Sequence, residues 1–192
     1  MYRIFFLLIV LVSFSTFSQI DNEHLKVGES APLISGIDQF GNEIFSKEVL
    51  KDKKILLIFY RGNWCPYCRK HLKSLQENLV ALTEKGYFVL VVTPEKVEKT
   101  KETSDKVEAK FSIVHDVSTK IMNDYKVAFE VSDKTVTSYL NYTQNKIAEY
   151  NANNNILPVP ATYIIGKDGK ISFVHYDPNY SKRFDIQEIL KL

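Results

Sequence analysis

The chain contains two cysteines, Cys65 and Cys68, within the run Trp64-Cys65-Pro66-Tyr67-Cys68. Thiols at this spacing suit one of three tasks: a structural staple, part of a metal site, or a redox pair. A staple gains most by closing a long loop, because the entropy it takes from the unfolded chain grows with loop length. A loop of two intervening residues gives it little. A tetrahedral zinc site needs two further ligands, and none of His24, His71, His115 and His175 stands at ligand spacing from another. Redox chemistry is the task this pair fits.

The flanking residues set the stage for that chemistry. Residues 55–60 form an unbroken apolar run, as expected of a central strand covered on both faces. Arg61, Gly62 and Asn63 interrupt it. Pro66 suits a first helical position, where its missing N–H would have had no partner. Leu72, Leu75, Leu79 and Leu82 then recur at helical spacing and trace an amphipathic stripe. Cys65 therefore falls at a helix N-terminus, where free N–H groups and the macrodipole favour negative charge. A thiolate is such a charge, and it is the nucleophilic form of cysteine.

The 192 residues are 45% hydrophobic and 25% charged, which suits one globular domain with a real core. The first 18 residues read as a cleaved signal peptide. Arg3 supplies a sparse positive region, residues 4–12 an apolar stretch, and Thr16 and Ser18 a cleavage site before Gln19. Nine apolar residues are too few to span a bilayer, so no stable membrane anchor is expected, and export to the periplasm or cell envelope is. Lys and Arg total 25 against 23 Asp and Glu, a net charge of +2 that argues against nucleic acid or a strongly acidic partner. The charge run at 95–110 mixes both signs and reads as a solvated helix face.

In chain order, the pattern predicts a strand near 33–37, a return strand at 43–45, and a short helix capped by Ser46. The central strand and the cysteine-bearing helix follow, ending at a Gly86 stop. A second apolar strand over 87–92 should lie parallel to the first through a right-handed crossover. Thr93 as N-cap and Pro94 as first residue open the next helix. Beyond come a strand at 111–114, a helix at 118–125 and a short segment at 127–129. Residues 130–157 read as an insertion over the active face, helical from about 134 to 150 and then a loop. Strands at 161–165 and 170–175 form a closing hairpin, and Asp185 with Glu188 resembles a capping box for the last helix. The order implies an α/β fold: a mixed central sheet with helices on both sides and an N-terminal β-hairpin.

Trp64-Cys65-Pro66-Tyr67-Cys68 between strand and helix, with Pro160 ahead of a later strand, resembles the thioredoxin fold. Val27-Gly28-x-x-Ala31-Pro32, Phe59-Tyr60-Arg61-Gly62-x-Trp64-Cys65-Pro66-Tyr67-Cys68, Pro160-Ala161-Thr162-Tyr163-x-Ile165 and the 174–180 segment look like the peroxiredoxin-like branch of the alkyl hydroperoxide reductase/thiol-specific antioxidant (AhpC/TSA) superfamily. The resemblance implies a thiol oxidoreductase without a cofactor. In that scheme Cys65, nearest the helix start and the solvent, attacks as thiolate. Cys68, one turn in and with the higher pKa, resolves the adduct into a Cys65–Cys68 disulfide. An external reductant of the thioredoxin type then reopens it.

By the same resemblance Pro160 is a cis-proline packed on the disulfide, and Val159 beside it offers backbone groups to substrate, with Thr162 nearby. Arg61 either holds the thiolate or a peroxide oxygen, or is a solvated loop residue. Trp64 and Tyr67 flank the sulfur, shield it and form the docking surface, or else Trp64 only fills the rim. Glu95 resembles the acid/base glutamate of exported disulfide reductases, and otherwise is a first-turn helix acid. Two departures stand out. Gly62 occupies the position of the peroxide-holding Thr or Ser of ordinary peroxiredoxins, and Phe59 that of the buried Asp of thioredoxins. Peroxide reduction is the first reading and envelope disulfide reduction the second. The third is a Cu(I) carrier, against which the two-residue spacing counts.

Overall fold

A computed structural model describes residues 24–131, 146–152 and 156–192. The signal-peptide reading and most of the insertion's helix, over 132–145, lie outside them. Near the N-terminus, β1 (Ser35–Ile37) pairs antiparallel with β2 (Glu43–Phe45), the expected hairpin. Helix α1 (Ser46–Val49) follows, but Ser46 does not cap it. The Ser46 hydroxyl instead accepts the Ile34 N–H at 2.9 Å, because the hairpin leaves that buried donor otherwise unmet.

Strand β3 (Lys54–Phe59) lies at the centre of a five-stranded sheet. On one side it pairs in parallel with β4 (Tyr87–Thr93), which pairs in parallel with β5 (Ser112–His115). On the other side β8 (Ala161–Ile165) runs antiparallel to it, followed by β9 (Ile171–Tyr176). Side chains alternate between two cores. Leu56, Ile58, Val89, Val91, Ile113 and Ile164 face the cysteine-bearing helix, while Leu57, Phe59, Leu90, Val92, Val114 and Tyr163 face the opposite layer.

The cysteine-bearing helix is two helices, α2 (Pro66–Glu77) and α3 (Leu79–Glu84). They part at Asn78, whose side chain donates to the Ser74 carbonyl at 2.8 Å and so competes with the helical ladder. Gly86, at φ +82, then turns the chain into β4. Helix α4 (Val97–Val107) starts three residues later than Pro94. Thr93 completes β4, and its hydroxyl meets the Glu95 N–H at 3.2 Å, while Glu95 forms an isolated β-bridge with Asn151. That bridge holds residues 94–96 extended and delays the helix.

Helix α5 (Lys120–Asp124) leads to β6 (Ala128–Glu130), which pairs antiparallel with β7 (Ile156–Pro158), a further two-stranded sheet the sequence pattern did not announce. Between them, α6 (Lys146–Tyr150) docks on the start of α4. The Lys96 N–H donates to the Tyr150 carbonyl at 2.8 Å, and the Tyr150 hydroxyl to Glu102 at 2.6 Å. Helix α7 (Ile186–Ile189) closes the chain, with the Asp185 carboxylate accepting the Gln187 N–H at 2.9 Å as its cap.

The N-terminal residues also border both ends of the main sheet. Asp38 bridges Val114 on β5, and Ile171 at the start of β9 donates to the Glu29 carbonyl at 2.9 Å and accepts from Gly28 at 2.8 Å.

Candidate active site

The loop between β3 and α2 is shaped by a glycine. Gly62 has φ +148, and a Cβ there would come within 2.2 Å of Trp64 Nε1. A threonine or serine cannot take this place while Trp64 is folded over it, which is the physical reason for the first departure noted above. The Cys65 N–H donates to the Gly62 carbonyl at 3.0 Å, so the turn delivers Cys65 to the N-cap of α2 with Pro66 as its first residue.

Both cysteines are reduced, and both are buried, at 2% exposure for Cys65 and 1% for Cys68. The expected solvent-facing Cys65 is thus corrected, because aromatic and arginine side chains close over the loop. The charge is distributed differently from expectation as well. Cys65 donates its S–H to the Cys68 sulfur; that bond, burial and the neighbouring Cys68 charge hold its pKa well above an ordinary thiol's. Burial pushes Cys68 up too, but the bond from Cys65, the Arg183 charge, the Arg61 backbone N–H and a bond from Arg183 outweigh it and bring the thiol down to about 5. The two sulfurs share one proton, so the low pKa belongs to the pair, with the charge resting on Cys68.

Arg183 was not among the sequence candidates. Its Nη2 lies 3.4 Å from Cys68 Sγ, reached from the segment after β9. The Arg61 guanidinium is buried with its centre 5.4 Å from the Trp64 ring and 5.0 Å from the Tyr180 ring. It is therefore not a solvated loop residue, and its backbone N–H is what this residue presents to Cys68. Tyr67 is half-exposed and packs edge-on against Tyr180 at 6.0 Å.

Glu95 is completely buried, and it is not a first-turn helix acid. It accepts hydrogen bonds from the Tyr60 hydroxyl, from the Asn63 N–H at 2.8 Å and from Thr103 Oγ1 at 2.9 Å. Burial raises its pKa to about 7 against the pull of those donors, and the Cys68 charge pushes the same way. Asn151 was also missed. Fully buried in the 150s loop, it accepts the Trp64 indole N–H at 3.2 Å and donates to the Arg61 carbonyl at 3.1 Å. A run of asparagines reads as solvated loop, so nothing local marked it.

Two expectations about the later strand are corrected. No peptide bond among the described residues is cis, so Val159–Pro160 is trans; the chain runs extended from β7 through this bond into β8. The Val159 N–H is not open to substrate either, since it donates to the Val127 carbonyl at 2.8 Å and prolongs the β6–β7 ladder. Thr162 is buried within β8, opposite Ile58 and His175, on the face beneath α2. Among the described residues, no group of three or more His, Cys, Asp and Glu gathers to hold a metal ion, and no helix is long and apolar enough to cross a membrane.

A sheet of this order, with a Cys-x-x-Cys pair opening the helix after its central parallel strand, defines a thioredoxin-fold dithiol protein. Residues 27–174 match the AhpC/TSA family, and the chain belongs to it. Thiol-disulfide oxidoreductase ResA of Bacillus cereus is 26% identical over 79% of this chain and 70% of its own length. Peroxiredoxin Bcp of Escherichia coli is 25% identical over 84% of this chain and 92% of its own. A solved peroxiredoxin-like protein from Aquifex aeolicus shares the fold, with TM-score 0.66 at 20% identity over 88% of this chain and 85% of the other. The chain is a thiol-dependent oxidoreductase, and its relatives include both a thiol-disulfide oxidoreductase and a peroxiredoxin.

Proposed function

We propose that this chain reduces peroxides through a Cys65/Cys68 dithiol–disulfide cycle. The observation that carries the choice is the closure of the reduced pair, with only 2% and 1% of the two cysteines accessible. A small hydroperoxide needs little opening to reach sulfur, whereas a protein disulfide must bring its own main chain within bonding reach.

The cycle balances as follows. The proton of Cys65 crosses the existing hydrogen bond to Cys68, leaving the thiolate at the N-cap, where the α2 dipole favours it. The Cys65 sulfur attacks the peroxide, the O–O bond breaks, and the leaving alkoxide takes a proton to become alcohol or water. Cys65 is now a sulfenic acid, oxidised by two electrons. The Cys68 sulfur displaces its oxygen as water and forms the Cys65–Cys68 disulfide, which an external thioredoxin-type dithiol reduces by exchange. Glu95, buried with a pKa of about 7, supports proton delivery behind the pair.

A second reading, reduction of protein disulfides, is favoured by the same glutamate and by Gly62, which leaves no hydroxyl at the peroxide-holding position. Peroxide consumption and insulin-disulfide reduction, each driven by the same thioredoxin system and compared with Cys65→Ser, separate the two. Peroxide loss well above the free-thiol rate with little insulin reduction supports the first; the reverse pattern installs the second. The character of the first 18 residues further supports a mature protein beginning near Gln19 in the periplasm or envelope, which N-terminal sequencing of fractionated cells tests.

A further inference from the structure

We propose that Arg183 is a catalytic residue of the dithiol: a cation lent by the C-terminal segment, it holds the negative charge of the reduced pair on sulfur and loses that hold when the disulfide forms. The proposal rests on the dithiol cycle and not on which oxidant enters it.

The geometry is that of a pinned strap. Residues 177–185 connect β9 to α7. At the far end Phe184 packs against Phe173 at 4.7 Å and His175 at 5.4 Å, and Ile186 and Ile189 are buried in the core behind it. Between these anchors the Lys182 N–H closes a turn on the Asn179 carbonyl at 2.9 Å, and Arg183 Nη1 donates to the carbonyls of Tyr180 and Lys182. Those bonds orient the guanidinium so that Nη2 reaches Cys68 at 3.4 Å, while Tyr180 lies over Arg61 and against Tyr67.

A charge-assisted contact of this kind exists only while the sulfur is anionic. Disulfide formation takes up the sulfur's electron pair in the new S–S bond, leaves a neutral group, and removes the partner Arg183 was holding. Closure over the reduced pair and release after oxidation would then follow from one charge. The reduced site stays shut to bulky thiols, and the oxidised site admits the protein reductant it needs. By linkage, what binds the thiolate form more tightly also favours reduction of the disulfide.

The Arg61 backbone and Glu95 act on Cys68 as well, Tyr60 meets Glu95, and His71 on α2 and His175 of β9 lie within the field of Arg183, with Asp185 acting on the first and Asp177 on the second. The test compares the reduced wild type with Arg183→Gln and Arg183→Lys by thiolate absorbance at 240 nm across pH. Wild type should titrate near pH 5, Arg183→Gln at least one unit higher, and Arg183→Lys between them. A Gln variant that titrates with wild type, or a Lys variant indistinguishable from Gln, overturns the role. Wild type alone supplies the second arm: trypsin cleavage after Lys182 and Arg183 should run several-fold faster in the oxidised protein than in the reduced one. Equal rates overturn the release.

Discussion

Asn151 and Trp64 stand 87 positions apart in the chain, yet the side-chain oxygen of the first takes the indole N–H of the second at 3.2 Å. The amide nitrogen of the same asparagine reaches the Arg61 carbonyl at 3.1 Å, so one side chain ties both ends of the loop that presents Cys65.

Asn151→Ala removes both bonds, from a buried indole N–H and from a buried carbonyl. The expected cost is about 2 kcal/mol of stability, measured by urea denaturation. Turnover should fall further than stability does, because Trp64 and Gly62 lose the geometry that sets the Cys65 turn.

Glu95 gives a pH dependence with a definite sign. Its folded pKa of about 7 lies above the unfolded value of 4.5, so the native state keeps a proton that the unfolded chain releases. Stability from this group is therefore full below pH 4.5 and declines as pH rises to about 7, by about 3 kcal/mol in all. Glu95→Gln should flatten that decline in denaturation series across pH. It should also erase the limb near pH 7 from the rate profile.

Gly62→Thr tests whether a peroxide-holding hydroxyl can be restored. With φ at +148 and Trp64 Nε1 only 2.2 Å from where a Cβ would stand, the variant must displace the indole. The expected outcome is a destabilisation of about 2 kcal/mol or more with turnover lowered, seen in parallel thermal-melt and activity measurements.

The cysteines divide the cycle. One equivalent of peroxide should convert wild type to an intramolecular disulfide, detected as a mass loss of two hydrogens. Cys68→Ser should accumulate a dimedone-reactive sulfenic acid on Cys65, and Cys65→Ser should give neither product at comparable rate.

The strand–turn–helix around the cysteines was legible because each element is written locally: six apolar residues, a glycine break, a proline at N1 and leucines at helical spacing. Both hairpins were readable for a similar reason, short strand-like runs on either side of a glycine-bearing turn. What the sequence hid depends on distant partners. Arg183 sits 115 positions from the sulfur it touches, and nothing in the Tyr-Ser-Lys-Arg run distinguishes it from a surface cation. Glu95 looked like a helix-start acid because Thr93-Pro94 is a good helix opening; only the bridge to Asn151 turns it inward. The proton sharing between Cys65 and Cys68 likewise arises from the guanidinium and from burial, neither of which a helix-dipole argument contains.

The residues ahead of the central strand have a consequence for assembly. With Asp38 on Val114 and Gly28 and Glu29 on Ile171, a visiting backbone finds the natural docking rows at β5 and at the start of β9 already taken. A partner that lengthened the sheet at those points would first have to displace these residues. Trimming the chain back to residue 49 would uncover the backbone at those points and offer it to a second strand.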